Sequence, residues 1–391
     1  MRFFHISDLH IGKQLYYYPL KENQRAVFQE IITAVETYQP DGLLIAGDIY
    51  DKSAPSGEAY TIFDEFLTKL ARCTPSPAVL MIAGNHDSAQ RLAYASGFLA
   101  EHNIHIAAFP PLNAEEHMKK VVLKDQWGPV NVYLLPFTKP GYVKYLFPEE
   151  KAASYDEAVG ALIMRESLDV SQRNVLVSHQ FYVSGSQSPE TCQSEQAYIS
   201  VGGIDSVEAA RVKDFDYVAL GHLHGAQWIG QPNIRYCGTP LKYSVSEAGQ
   251  EKSITMVTLK EKGTPPVIET IPLTAVQDVR REKGRLEEIL ERARAMGPEE
   301  RKNFVSITLT DEEEVFHPRE QLEEYFPYLL EIQVENSRTR AVFSQEQEGP
   351  DRLDAMDAFR RFYQEIQGVS MNEEEERILT EVIQKVKEGE E

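Results

Sequence analysis

Apolar residues occur in short runs, and between the runs they recur every three or four positions. The runs are Phe3 to Ile6, Leu43 to Ala46, Ala78 to Ala83, Val130 to Leu135, Val175 to Val177 and Tyr217 to Leu220; each predicts a strand. Between the first two, Val27, Ile31 and Val35, flanked by Phe28 and Ile32, repeat at helical spacing until Pro40 stops the pattern. After the second, Ser56 is placed to cap a helix whose Ile62, Phe63, Phe66, Leu67 and Leu70 share one apolar face. Strand and helix patterns that alternate in this way predict an α/β fold. From about Ile234 to Leu273 the pattern is strand-like again, with Ile254, Met256, Val257 and Leu259 before Pro265-Pro266 and Val267 to Ile271 after it.

Around Leu273 the chain turns charged and helical. Leu286, Ile289, Leu290 and Ala293 make a stripe that ends at Gly297-Pro298, and two strand-like runs follow, Val305 to Leu309 and Leu329 to Val334. Residues 273–336 therefore read as a small α+β domain after a large body spanning 1–272, in keeping with a chain of 391 residues. Residues 337–349 are polar and read as a linker. Residues 350–391 read as two amphipathic helices. The first has Leu353, Met356, Phe359, Tyr363 and Ile366 on one face, and the second has Ile378, Leu379, Val382, Ile383 and Val386, with Asn372 and Glu375 placed as a capping box.

Composition narrows the class. No apolar run approaches the roughly 20 residues needed to cross a bilayer, and the apolar stretch after Met1-Arg2 is far shorter than that of a secretory signal, so the expected location is the cytoplasm. Cys73, Cys192 and Cys237 are widely spaced and in no CxxC pairing, which predicts reduced thiols rather than disulfides or a thiolate metal site. A formal charge of −21 argues against nucleic acid as a partner. Its distribution weakens that objection, because residues 273–391 hold 30 acidic and 17 basic side chains, which leaves 31 and 23 in the longer first part. Two bound divalent cations would add about +4 where a phosphate must sit.

The candidate chemistry lies just after the predicted strands. Asp8-Leu9-His10 follows the first, Gly47-Asp48-Ile49-Tyr50-Asp51 the second and Gly84-Asn85-His86-Asp87 the third; Ser178-His179 and Gly221-His222-Leu223-His224 follow two later ones. Each motif alone is common. Five in succession, each past a strand, would deliver carboxylate, imidazole and amide groups to one edge of a sheet, where open α/β folds place their sites. Oxygen and imidazole donors without thiolate suit manganese, iron or zinc better than copper. His5, His102, His105, His117 and His317 lack this context and are expected to be structural or exposed. Lys52-Ser53 stands five positions after Gly47 in imitation of a P-loop, but a second glycine is missing and Asp48 and Asp51 would repel a triphosphate.

This ordered set resembles the calcineurin-like metallophosphoesterases. Ser194-Glu195, Val201-Gly202-Gly203, Cys237-Gly238-Thr239-Pro240-Leu241-Lys242-Tyr243-Ser244 with Glu247, and Asp278-Val279-Arg280 bring the resemblance closer to the SbcD family of bacterial nuclease subunits. It implies a four-layer sandwich of two mixed sheets between helices, with the 273–336 domain as a cap. It also implies one metal held by Asp8, His10, Asp48 and His224 and a second held by Asp48, Asn85, His179 and His222. Asp48 is then a bridge between cations about 3.5–4 Å apart, and manganese is the favoured ion. By the same resemblance His86 is not a ligand but acts at the phosphate or the leaving oxygen, and Asp51 orients it.

The implied activity is a DNA exonuclease and endonuclease working in repair, with metal-activated water as nucleophile. The implied partners are DNA, an SbcC-type coiled-coil ATPase gripped by the C-terminal helices, and a second copy of the chain. The homodimer would form through helices spanning roughly 57–71 and 89–102, where Phe98 and Leu99 would be exposed in a monomer. Two rival readings are a phosphodiesterase for small molecules or cyclic nucleotides, and a metal-free scaffold. The appended domain weighs against the first, and the complete ligand set against the second. Lys52-Ser53, where phosphoprotein phosphatases carry Arg, weighs against a phosphoprotein substrate.

Overall fold

The computed structural model describes residues 1–147, 153–185, 189–196, 206–337, 359–360, 363, 371–372, 375–377 and 379–380. In chain order the main strands of the body are β1 (Arg2–Ile6), β2 (Gly42–Ala46), β3 (Ala78–Ile82), β4 (Ile104–Ala107), β5 (Lys119–Asp125), β6 (Gly128–Leu135), β7 (Arg173–His179), β8 (Tyr217–Gly221), β9 (Gln227–Ile229), β10 (Gln231–Tyr236), β11 (Ser253–Thr258) and β12 (Val267–Pro272). They form two six-stranded sheets, β12-β11-β1-β2-β3-β4 and β9-β10-β8-β7-β6-β5. Both are mixed: β1 runs parallel to β2 and antiparallel to β11, and β6 runs parallel to β7 and antiparallel to β5.

Side chains on a strand alternate between its faces, and here each face has its own core. Phe4, Ile6, Leu43, Ile45, Val79 and Met81 pack under helices α1 (Lys21–Tyr38) and α2 (Gly57–Arg72). Their neighbours Phe3, Leu44, Ala46, Leu80 and Ile82 meet Val132, Leu134, Val175, Val177, Tyr217 and Ala219 of the other sheet. Tyr133, Leu135, Leu176, Val218 and Leu220 pack against Ala158, Val159, Leu162 and Ile163 of α3 (Tyr155–Arg165). The result is the expected four-layer α/β/β/α sandwich. Burial on both faces explains why these strands are continuously apolar in the sequence.

The expected helix signals act as read. Ser56 Oγ accepts the backbone N–H of Ala59, a cap worth about 1 kcal/mol, and α1 ends at a left-handed Gln39 just before Pro40. One expectation needs correction. The 89–102 stretch is not a single helix but two short ones, Ala89–Leu92 and Ser96–Ala100, interrupted by Ala95 at φ +58°. The break turns Leu99 toward the α1/α2 core and leaves Phe98 65% exposed.

After β12, strands β13 (Val279–Gly284), β14 (Phe304–Leu309) and β15 (Leu329–Val334) form a parallel three-stranded sheet. Helices α4 (Leu286–Ala295) and α5 (Pro318–Glu323) join it around a core that includes Ile289, Val305, Ile307 and Leu322. Val279, Phe304 and Leu330 instead join the core of the body, where Tyr18 meets Tyr328 edge to ring and Phe304 at a tilt. Near the C-terminus, Asn372 and Glu375 make the expected capping box, and Tyr363 donates to Glu375. Phe359 is exposed, Tyr363 half-buried and Leu379 buried. Leu353, Met356, Ile366, Ile378, Val382, Ile383 and Val386 lie outside the described residues, as do Val201-Gly202-Gly203. No helix among the described residues is long and apolar enough to cross a membrane.

Candidate metal centre

All five motifs converge at one edge of the sandwich, beyond the C-terminal ends of β1, β2, β3, β7 and β8. Bringing them together forces unusual backbone: Asp8, His10, Asp48 and His222 have φ of +52°, +42°, +49° and +102°. Left-handed non-glycine residues are uncommon, and strain of this kind gathers where a site needs it. Three glycines make the approach possible. A Cβ on Gly84 would lie 2.1 Å from Asp48 Oδ1, one on Gly47 2.3 Å from His179 Nδ1, and one on Gly221 1.9 Å from the Ala46 carbonyl oxygen.

Asp48 is the centre of the group. Its Oδ2 lies 3.3 Å from His179 Nε2, 3.8 Å from His10 Nε2 and 4.0 Å from His86 Nε2, and its Oδ1 accepts the backbone N–H of His86 at 2.9 Å. Asp8 receives the His222 backbone N–H at 3.0 Å and lies 4.0 Å from His179. Asn85 Oδ1 is 3.0 Å from His179 Nε2 and 3.1 Å from His222 Nδ1. His224 packs beside His10, ring centroids 5.2 Å apart. The structure thus gathers Asp8, His10, Asp48, Asn85, His179, His222 and His224, and all but Asn85 are buried.

Among the described residues, Asp8, His10 and His224, then His10, Asp48 and His86, then Asp8, Asp48 and His179 each bring ligand atoms within 4.8 Å of one another. Both ring nitrogens of His10 are buried without a hydrogen-bond partner, an arrangement that costs energy unless a cation completes it. Ionisation is uneven across the cluster. Burial pushes Asp8 up and His10 down, and burial with the nearby His179 pulls His222 to about 3. Burial opposes charge on His179 and on Asp48 as well, yet their mutual attraction raises His179 to about 9 and holds Asp48 well below the usual carboxylate range. The carboxylates thus attract positive charge, as a cation site requires. The donor set and the unpaired His10 nitrogens fit divalent cations.

Several neighbours hold this arrangement in place. Asp87 accepts backbone N–H groups from Gly84, Ile49 and Tyr50 and ties two of the motif loops together; burial and the Asp48 charge raise it to about 6. His179 Nδ1 is 2.7 Å from the Ala46 carbonyl. His86 Nδ1 meets Asp51, but through its backbone carbonyl at 2.8 Å. The Asp51 carboxylate instead pairs with Lys13 at 2.7 Å and stands 3.7 Å from His10 Nδ1. Asp51 thus meets His86 through its main chain, and the carboxylate expected to orient that ring is engaged by Lys13 instead. Lys13, Asp87 and Lys252 escaped the sequence reading. Asp87 lies within a recognised motif, whereas Lys252 is 28 residues from the His224 carbonyl it contacts.

Buried carboxylates and imidazoles at the adjoining edges of two mixed sheets define a metal-dependent phosphoesterase. Residues 1–226, more than half of the chain, match the calcineurin-like phosphoesterase family, and the chain belongs to it. Residues 275–367 match a second family, described as the type 5 capsule protein repressor C-terminal domain. The D subunit of nuclease SbcCD from Staphylococcus epidermidis is 28% identical over 335 residues, covering 85% of each chain. The protein of the same name from Staphylococcus saprophyticus subsp. saprophyticus is 27% identical over 391 residues, covering 98% of this chain and 99% of its own. Among solved structures, the protein TT1561 of Thermus thermophilus covers 70% of this chain and 99% of its own at 11% identity, with a TM-score of 0.40.

Proposed function

We propose that this chain is the nuclease subunit of an SbcC–SbcD-type DNA repair complex, hydrolysing DNA phosphodiester bonds with two divalent cations, manganese in the first instance. The observation that carries this reading is the end-to-end match to a protein named as the D subunit of nuclease SbcCD, over 98% of this chain. Asp8, His10, Asp48 and His224 would hold one ion and Asp48, Asn85, His179 and His222 the other, with Asp48 shared. Such ions supply Lewis acidity toward the phosphate and the attacking water.

His86 is partly exposed and packs against His10 beside the buried cluster. The Asp51 carbonyl can only accept, so Nδ1 carries a proton, and a second proton on Nε2 would make the ring the acid for a departing oxygen. Residues 1–272 serve as the nuclease body, 273–336 as a cap, 337–349 as a linker and 350–391 as the segment that docks on the coiled-coil ATPase by helix-in-groove packing. The chain works in the cytoplasm as a homodimer.

The test is an assay of the purified chain with manganese on linear duplex, single-stranded and hairpin DNA, with and without the partner ATPase and ATP. Cleavage that needs manganese and stops with EDTA is expected. Hydrolysis of small phosphodiesters or cyclic nucleotides with no action on any DNA would favour the rival reading. Deleting residues 350–391 is expected to spare cleavage by the isolated subunit and to abolish co-purification with the ATPase.

A further inference from the structure

Behind His224 lies a buried charged assembly. Glu247 is fully buried, and its Oε2 accepts Lys252 Nζ at 2.7 Å. Lys252, also buried, donates further to Thr239 Oγ1 at 2.7 Å, Gln250 Oε1 at 2.7 Å and the His224 carbonyl at 3.0 Å. The other carboxylate oxygen of Glu247 accepts Ser194 Oγ at 3.0 Å, Ser244 Oγ at 3.0 Å and the Tyr243 backbone N–H at 3.2 Å. It also stands 3.3 Å from His224 Nδ1, while Ser194 Oγ stands 2.8 Å from the same nitrogen.

The proton count decides what this does. A serine hydroxyl has one proton and the Glu247 carboxylate can only accept, so the arrangement that leaves no two lone pairs facing each other has Ser194 donating to Glu247. Both groups facing His224 Nδ1, an oxygen that has spent its proton and a carboxylate, can therefore only accept. In that arrangement Nδ1 carries the imidazole proton, and the lone pair is confined to Nε2. Burying a lysine and a glutamate is costly, and a scaffold alone could be built from apolar groups. Their ion pair keeps a full negative charge against one particular histidine nitrogen.

We propose that Glu247, charge-paired with Lys252 and linked through Ser194, is a positioning residue that sets the tautomer and orientation of His224 so that Nε2 faces the metal centre. The inference deepens the two-metal reading and rests on it. It singles out one side of the centre. His179, on the other side, is oriented by a neutral backbone carbonyl. The ion held through His224 should therefore depend on this buried pair, and the ion held through His179 should not. Partners of metal-binding histidines are typically worth 10–100-fold in affinity.

The experiment titrates Mn²⁺ into the metal-stripped full chain by calorimetry, and records ¹⁵N-histidine spectra of the metal-free protein at alkaline pH. Glu247→Gln should weaken one of two Mn²⁺ affinities by roughly 10–100-fold, leave the other unchanged, and shift His224 away from the Nδ1–H tautomer, with partial rescue by Glu247→Asp. Ser194→Ala leaves the Lys252–Glu247 pair intact, so it serves where Glu247→Gln does not fold, and it should cause a smaller loss at the same ion. Variants that lower the melting temperature while both affinities and the His224 tautomer stay as in the wild type would overturn the proposal and leave the pair as scaffold. A wild-type chain that binds no Mn²⁺ would instead sink the two-metal reading, and the metal-free spectra would still decide the tautomer.

Discussion

The two ends of the sandwich both hold buried charge, and they handle it in opposite ways. At the end away from the motifs, the Met1 ammonium and Arg173 close on Asp125 at 2.7 Å and 2.5 Å. The same ammonium also donates to the Leu259 carbonyl, and Arg173 to the carbonyls of Lys260 and Gly128. Charges of opposite sign meet directly there and clamp one sheet to the other. At the motif end, two aspartates and four histidines crowd together, four of the six on left-handed backbone, with both His10 nitrogens lacking a hydrogen-bond partner. A closed ion pair serves the fold. An excess of donors with nothing to bind each other marks a place made for something else.

The most severe way to break that contrast is to remove the carboxylate at the centre of the cluster, which is proposed to bridge two ions. Asp48→Ala is expected to bring DNA cleavage to background while circular dichroism and melting remain near wild type; metal analysis showing two ions and normal turnover would refute the bridge. His86→Ala should keep metal and DNA binding while turnover falls by roughly 10²–10⁴; loss of an ion would place His86 among the ligands instead.

Gly84→Ala probes the close approach itself. Its Cβ would sit 2.1 Å from Asp48 Oδ1, so the loop must shift, and Mn²⁺ affinity is expected to drop roughly tenfold or more, read by calorimetry. At the opposite end, Asp125→Asn should leave cleavage at moderate temperature unchanged and cost about 2–3 kcal/mol of stability, less than the roughly 3–5 for a wholly buried pair because Asp125 is part-exposed. Arg173 first, and then the Met1 ammonium, hold Asp125 well below its ordinary value of 3.8. The advantage of the wild type is thus fully present above that value and shrinks as pH falls below it. Urea titrations of both proteins should converge in that acid range; a constant gap would show that the charge is not responsible.

Much of the candidate site is legible in the sequence because its candidate ligands follow strands in short motifs. A glycine beside an aspartate or histidine after an apolar run signals a strand end and a sharp turn together. Asp87 was visible as a letter in such a motif, although not as the acceptor that joins two loops. Lys13 and Lys252 could not be read at all. A lysine in sequence is by default a solvated surface group, and only folding shows that one meets the Asp51 carboxylate and the other is enclosed beside Glu247.

By itself, the sequence determined the α/β alternation, the strands that carry the motifs, the helix caps at Ser56 and Asn372, and the seven candidate ligands, because periodicity and local hydrogen bonding act over a few residues. It also pointed to the resemblance that gave those ligands their roles. Tertiary structure decided how the pieces act on one another. It split the 89–102 stretch at Ala95 and turned Leu99 inward, placed the Asp51 carbonyl rather than its carboxylate against His86, and set a buried Lys–Glu pair behind His224. Each of these depends on contacts between residues far apart in the chain, whose energies are settled only when the sheets and loops have closed around them.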